Sequence, residues 1–461
     1  MKDTIKSLLS MVPLFALVPL SLGIIVILIV FHLAGEHKKF ALILEKIIIF
    51  GFFVLIPNLT PYPLPNLHPS YFTTPDVPIP WKLIQIALYA TLFFVLLSRF
   101  RYIFRAIIVI FKDIGLGLLL FLIACSFLWS VTPDFTLTAS LTVLGPTLFA
   151  AYVGKQYNWQ ELSWFIRWST STLALLSFYY ARFKPDIGVH SKGWMGVTGH
   201  PNIIAPILAI NIVLWTAHAI AYPKDRKIAL VMIIFSLYVR QQTNSSTSIV
   251  VLFLLMCLLM VLLFFKHLNY KQALTGFILF LVVAIGLTIF VSSNFEYVIV
   301  DVLGKDITLT GRVPVWNLVL EKAVSQRPLL GYGYYGFWQK WRGEDDPSRY
   351  MITENGFRPR HGHQGFLDLA VDLGLIGLSF FLLSICRYIA LGVKYLVTDS
   401  KIESTFSLLF LTFLIILNLS ESFLLKPSHV WVYYVISSVR LSLDTEKNVS
   451  LNRSSNRSLK Q

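Results

Sequence analysis

Apolar runs near the length of a bilayer crossing recur along the whole chain, and this restricts what it can fold into. A hydrocarbon core about 30 Å thick needs about 20 apolar residues as helix. Lipid offers no partner to an unpaired backbone group, so only helices and closed barrels cross it. Candidate runs lie at 11–31, 41–56, 81–97, 114–129, 137–153, 164–180, 201–221, 228–239, 248–265 and 273–291. After a long polar interruption come 373–391, 406–419 and a weak last run at 430–439. The pattern predicts an all-α polytopic membrane protein, a bundle of about 12–13 transmembrane helices.

Composition agrees and narrows the function classes. Hydrophobic residues make up 56% of the chain and charged ones 14%, against about 25% charged in soluble domains. Once the spans are counted, no room remains for a separate soluble catalytic domain. A net charge of +15 would suit a nucleic-acid partner, but Lys and Arg sit mostly in short loops between apolar runs. That is the positive-inside pattern, and no nucleic acid is expected. Lys2 and Lys6 precede the first run as in a signal peptide, yet the run is longer than a typical h-region and no small-residue cleavage site follows. It is read as a span. Cys125, Cys257 and Cys386 each fall inside an apolar run and are expected to pack as small hydrophobes.

The loops holding Arg99, Arg101 and Arg105, then Lys224, Arg226 and Lys227, then Lys266 and Lys271, then Lys394 and Lys401, alternate correctly if all face the cytoplasm. The four expected regions are an N-terminal transmembrane bundle (1–291), a large periplasmic loop (292–364), C-terminal transmembrane helices (365–440) and a basic cytoplasmic tail (441–461). The N-terminus then falls outside, against the weak preference of Lys2 and Lys6.

The large loop, roughly 70 residues, is far longer than an ordinary connection and is expected to be partly helical. Val315, Trp316, Val319, Leu320 and Ala323 recur at helical spacing after Pro314, a residue suited to a first turn. The Gly- and Tyr-rich stretch 328–337 follows, and the whole reads as a lid on the bundle.

Polar side chains converge on this face. Arg240 stands beside Gln241, Gln242, Asn244, Ser245 and Ser246; Gly311-Arg312 opens the lid helix; Arg358, Arg360, His361 and His363 lie at the mouth of the 373–391 run. Arginine presents a planar fork of donors suited to phosphate oxygens and stays charged. Two arginines beside a histidine suit a diphosphate and a proton abstraction next to it. Each has a plainer reading: Arg240 as a snorkelling helix-end residue, Arg312 as a partner of Glu344 or Asp345, and His200, with Asn202 at a span entrance, as a structural hydrogen-bonding group. His361 and His363 with nearby carboxylates suggest zinc, but no second ligand motif at fixed spacing accompanies them, and no metal is expected.

Taken together, these patches resemble the O-antigen ligase and polysaccharide polymerase superfamily of bacterial inner-membrane proteins. The feature that carries the resemblance is His363-Gln364, nine residues, then Gly374-Leu-Ile-Gly377. Supporting it are Gly311-Arg312 with Trp316, the Pro328-Leu-Leu-Gly-Tyr-Gly333 turn, the Gly199-His-Pro-Asn202 entrance, and Arg240 ahead of the serines. The similarity runs from about Gly193 to Ser422. Two departures stand out: Ser246 occupies the place where family members commonly carry Arg or Lys, and Gln364 replaces the more usual Asn.

The resemblance implies glycosyl transfer at the periplasmic face without a metal or other cofactor. A polyprenyl (undecaprenyl) diphosphate carrier donates the glycan to the hydroxyl of an acceptor glycan or glycolipid. His363 would be the base, Arg312 and Arg240 the diphosphate ligands, and His361, Gln364, Arg360, His200, Asn202 and Gly311 the support. Other partners implied are the lipid bilayer and further polysaccharide assembly proteins. The run from His361 to Asp368 leans toward a polymerase rather than a lipid A-core ligase. A transporter or flippase of lipid-linked oligosaccharides is the alternative, using similar arginines without chemistry.

Overall fold

The computed structural model describes residues 38–56, 100–293, 312–353, 356, 358–359 and 361–458. Two compact units are distinguished, Met1–Phe52 and Phe53–Gln461. The first described helix is α1 (Lys38–Leu55). The second unit continues with α2 (Phe100–Lys112), α3 (Ile114–Cys125), α4 (Pro133–Gln156) and α5 (Trp159–Phe183). A small antiparallel hairpin, β1 (Val189–His190) and β2 (Gly193–Trp194), leads into α6 (Pro201–Ala221), α7 (Arg226–Gln242), α8 (Ser246–Phe265) and α9 (Tyr270–Ser293). Then come α10 (Arg312–Val319), α11 (Gly365–Thr398), α12 (Phe406–Asn418) and α13 (His429–Ser458). The protein is an all-α polytopic membrane protein. The expected runs at 11–31 and 81–97 lie outside the described residues.

Among the described residues five helices are long and apolar enough to cross a membrane: α4, α6, α8, α9 and α11. A sixth crossing arises if the bent pair α2 and α3, meeting at 113°, counts as one. Local sequence explains the helix limits. Pro133 and Pro201 occupy first-turn positions, where a missing N–H costs nothing. Asn158 and Glu161 close a reciprocal capping box on α5.

The lid is folded. Val315, Val319 and Ala323, four residues apart, form one stripe that packs with Tyr332, Phe337, Trp338, Met351 and Val371. Phe337 is wholly buried; covering a side chain of that size stabilises by about 1.5–3 kcal/mol.

Helix α11 departs from the expected span, which began at Leu373. It starts eight residues earlier and breaks at Gly374, whose φ of 65° and ψ of −171° are not helical. Into the break runs the lid's Gly-rich turn. Leu375 and Ile376 donate their backbone N–H groups to Pro328 and Leu329 carbonyls at 2.7 and 3.2 Å, and Tyr332 N donates to Val371 O at 3.0 Å. A Cβ at Gly374 would sit 2.1 Å from the Leu329 carbonyl oxygen, so only glycine fits. Irregular backbone in a span is tolerated where protein satisfies the freed groups, and here the lid does so.

Candidate functional site

The short arm of α11 before the break carries the histidine loop. Gln364 is the N-cap, its Oε1 accepting from Leu367 N at 2.7 Å. Immediately before it His363 adopts φ 51°, a left-handed conformation uncommon outside glycine and one that clusters at functional loops. His361 Nδ1 accepts the His363 backbone N–H at 3.1 Å, and the two rings lie 3.9 Å apart between centroids. That bond places the His361 proton on Nε2.

Asp368 anchors the loop. Its Oδ1 accepts from Gly362 N at 2.8 Å and Trp338 Nε1 at 3.0 Å, while Oδ2 accepts from the Ser422 hydroxyl. From the lid, Trp316 Nε1 donates to Gly362 O at 3.1 Å. The histidine loop is therefore held on both sides, by the lid helix and by the first turn of α11.

A second polar layer lies where α12 ends. Gly365 approaches Asn418 so closely that a Cβ would meet its Oδ1 at 2.2 Å. That oxygen accepts from Phe423 N and Leu424 N at 2.8 and 2.7 Å. Glu421 Oε1 accepts from Asn202 Nδ2 at 2.9 Å, tying the α6 entrance to this layer. Burial lowers the pKa of Lys426, while Asp368, Asp372 and Glu421 around it favour its charge.

His200 caps α6, its Nδ1 accepting from Asn202 N at 3.1 Å. Burial, with His190 and Lys192 nearby, lowers its pKa to about 4, so it is neutral at ordinary pH. His200 thus makes a helix-capping hydrogen bond at the α6 entrance.

Arg240 donates from Nε to Ser248 Oγ at 3.0 Å and from Nη2 to Ser245 O at 3.4 Å. Among the described residues no carboxylate pairs with it. Its turn abuts the β-hairpin, since a Cβ at Gly193 would lie 2.6 Å from Thr243 O. The basic and histidine clusters thus connect through the hairpin, Asn202, Glu421, Ser422 and Asp368. Arg312 opens α10 four residues before Trp316; its side chain is not among those described, and Gly311 and Arg360 lie outside the described residues. Arg358 belongs to the lid's interior: its Nη2 pairs with buried Asp346 at 2.7 Å.

Sequence reading gave no role to Asn418, Glu421, Ser422 or Lys426, and it saw Asp368 as one carboxylate near the histidines and the end of the run that begins at His361. The available signal was a carboxylate and an amide interrupting the apolar run near 419, a costly placement at a membrane. Among the described residues no group of three or more His, Cys, Asp or Glu is arranged to hold a metal ion.

The helices and the folded lid define a multi-pass membrane protein with a structured histidine loop packed against the end of a broken helix. Residues 228–382 match the family described as O-Antigen ligase. It is similar to the exopolysaccharide production protein ExoQ of Rhizobium meliloti, 37% identical over 83 residues, or 17% of this chain and 18% of that protein. It is also similar to a Rickettsia conorii protein named "Putative polysaccharide ligase RC0486", 32% identical over 82 residues, 17% of this chain and 19% of that one. The chain thus spans under a fifth of the length of the curated relatives it matches.

Proposed function

We propose that this chain is a metal-independent membrane glycosyltransferase of a bacterial inner membrane. It moves a glycan from a polyprenyl diphosphate carrier to an acceptor saccharide hydroxyl at the periplasmic face. The observation that carries the reading is His363, set at positive φ in a loop fixed by Asp368 and Trp316, inside the matched segment. His363 takes the acceptor proton, the freed oxygen attacks the anomeric carbon, and the bond to the diphosphate breaks with its electron pair leaving on the carrier. Histidine suits the base because its pKa lies near working pH. Arg312 and Arg240 stabilise the departing diphosphate in place of a metal. The run from His361 to Asp368 favours a polymerase, with a second lipid-linked glycan as acceptor, over a lipid A-core ligase.

The break in α11 favours one rival, because interrupted spans are common in transporters. Here, however, the break is filled by the lid's backbone. One experiment separates the readings: purified protein given polyprenyl-diphosphate glycan and acceptor, in excess EDTA, without ATP or an ion gradient. Product formation supports the transferase. Loss of product on chelation, restored by zinc or magnesium, removes metal independence. No product under any condition, with labelled lipid-linked glycan crossing proteoliposome membranes, establishes the transporter instead.

A further inference from the structure

The end of the bundle away from the lid carries a cationic surface that the proposed reaction does not use. The lid touches the α3–α4 connection: Tyr334 N donates to Ser126 Oγ at 3.1 Å, and Gln339 Nε2 to Thr132 Oγ1 at 2.6 Å. From there α3 leads back to its start at Ile114 and α4 forward to its end at Gln156, a helix about 36 Å long at 1.5 Å per residue. The other ends of both helices, with α2, therefore lie on the far side of the bundle.

The corner between α2 and α3 is built into the fold. Asp113, almost wholly buried, caps α3 by accepting from Leu116 N at 3.1 Å. Its Oδ2 accepts from Ser384 Oγ at 2.8 Å and Ser438 Oγ at 3.1 Å, with the Arg387 guanidinium at 3.9 Å. Gly115 seats α3 directly on the α11 backbone, 2.5 Å from the Phe380 carbonyl for an added Cβ. The 113° turn is thus pinned by two other helices, and α2 runs across the end of the bundle.

The faces of α2 are sorted. Ile103, Ala106, Val109 and Ile110 are buried against the protein. Arg101, Arg105 and Lys112 share one exposed stripe, at helical spacings of four and seven. Phe104 and Phe111 flank it on one side and Tyr102 on the other, all exposed. Lys155, from the last turn of α4, adds a fourth cation: its Nζ lies 5.3 Å from the Tyr102 ring centroid and within Coulomb range of Arg105. Among the described residues no carboxylate pairs with Arg101 or Arg105. Like charges gathered this way repel one another unless an anion joins them.

We propose that α2 with Lys155 is a binding strip for anionic phospholipid headgroups on the membrane face opposite the lid. The aromatic flank enters the acyl boundary and the basic stripe meets lipid phosphates, as interfacial helices do. Each cation near an anionic surface is worth about fivefold in affinity.

The test is native mass spectrometry of the full chain released from micelles holding equal phosphatidylglycerol and phosphatidylcholine. Phosphatidylglycerol is expected to be retained preferentially. The combined Arg101→Gln, Arg105→Gln, Lys155→Gln variant should lose about a hundredfold of that retention, while Arg101→Lys with Arg105→Lys should keep most of it. To separate lipid binding from any loss of helix on neutralising three residues at once, Arg105→Gln alone is measured too, with a loss of about fivefold expected. Unchanged phosphatidylglycerol retention in Arg105→Gln and the triple variant overturns the proposal, and so does equal retention of the neutral lipid. Competition by millimolar glycerol phosphate also overturns it, showing a site for soluble anions rather than a membrane contact.

Discussion

Asp368 Oδ1 accepts the backbone N–H of Gly362 at 2.8 Å, joining the first turn of α11 to the loop that ends in His363. The same oxygen holds Trp338 of the lid, so one carboxylate sets where the imidazole stands relative to both. Asp368→Ala should lower kcat about a hundredfold, the scale of a small misplacement of a reacting group, with KM for the carrier little changed. Steady-state kinetics on reconstituted protein check the split; a raised KM with normal kcat would make Asp368 a substrate ligand.

His363→Ala should abolish transfer while leaving the protein abundant and inserted, a loss of about 100- to 10,000-fold for a general base. His361→Ala should cost less, because His361 acts by holding the His363 backbone. Full activity of the His363 variant in a reconstituted assay would refute its role as base.

For the arginines, Arg312→Ala should be close to inactive, at roughly a hundredfold loss or more. Arg312→Lys should recover only part, since an ammonium cannot make a bidentate contact. Equal rates for Lys and Arg at this position would show that charge alone matters.

Gly374→Ala should destabilise the fold. Its φ of 65° with ψ of −171° lies in a region essentially restricted to glycine and costs an alanine about 1–3 kcal/mol, and the added Cβ would collide with Leu329 O. Gly286→Ala, where nothing lies within 4 Å, is the matched control and should hold or raise the unfolding temperature. Thermal unfolding in detergent decides between them.

Acid should weaken the α6 entrance. His200 titrates near 4 when folded and near 6.5 when unfolded, so the unfolded chain binds more protons between those values. The contribution of His200 is fully present above pH 6.5 and is lost as pH falls toward 4. His200→Asn, which can still cap α6, should flatten that part of the stability profile measured by thermal unfolding.

Much of this was legible in the sequence. The 201–221 run is the helix found, and Val315, Val319 and Ala323 form the stripe their spacing predicts. The break at Gly374 was not legible, because Gly-x-x-Gly inside an apolar run reads as uninterrupted helix and the partner that fills it lies over forty residues earlier. Asp368, Asn418 and Glu421 escaped for a similar reason. Their roles depend on Gly362, Phe423 and Asn202, contacts that only folding creates.

Because Pro328 and Leu329 bond to Leu375 and Ile376, the chain between them returns to its own starting point and the lid is a closed ring. The entropic cost of enlarging a ring rises only with the logarithm of its length. Extra residues away from these positions would enlarge the ring at little cost, whereas one inserted at 328–333 or 373–377 would unfasten it. The ring can therefore change its length while its clasp, and the histidine beside it, keep their register.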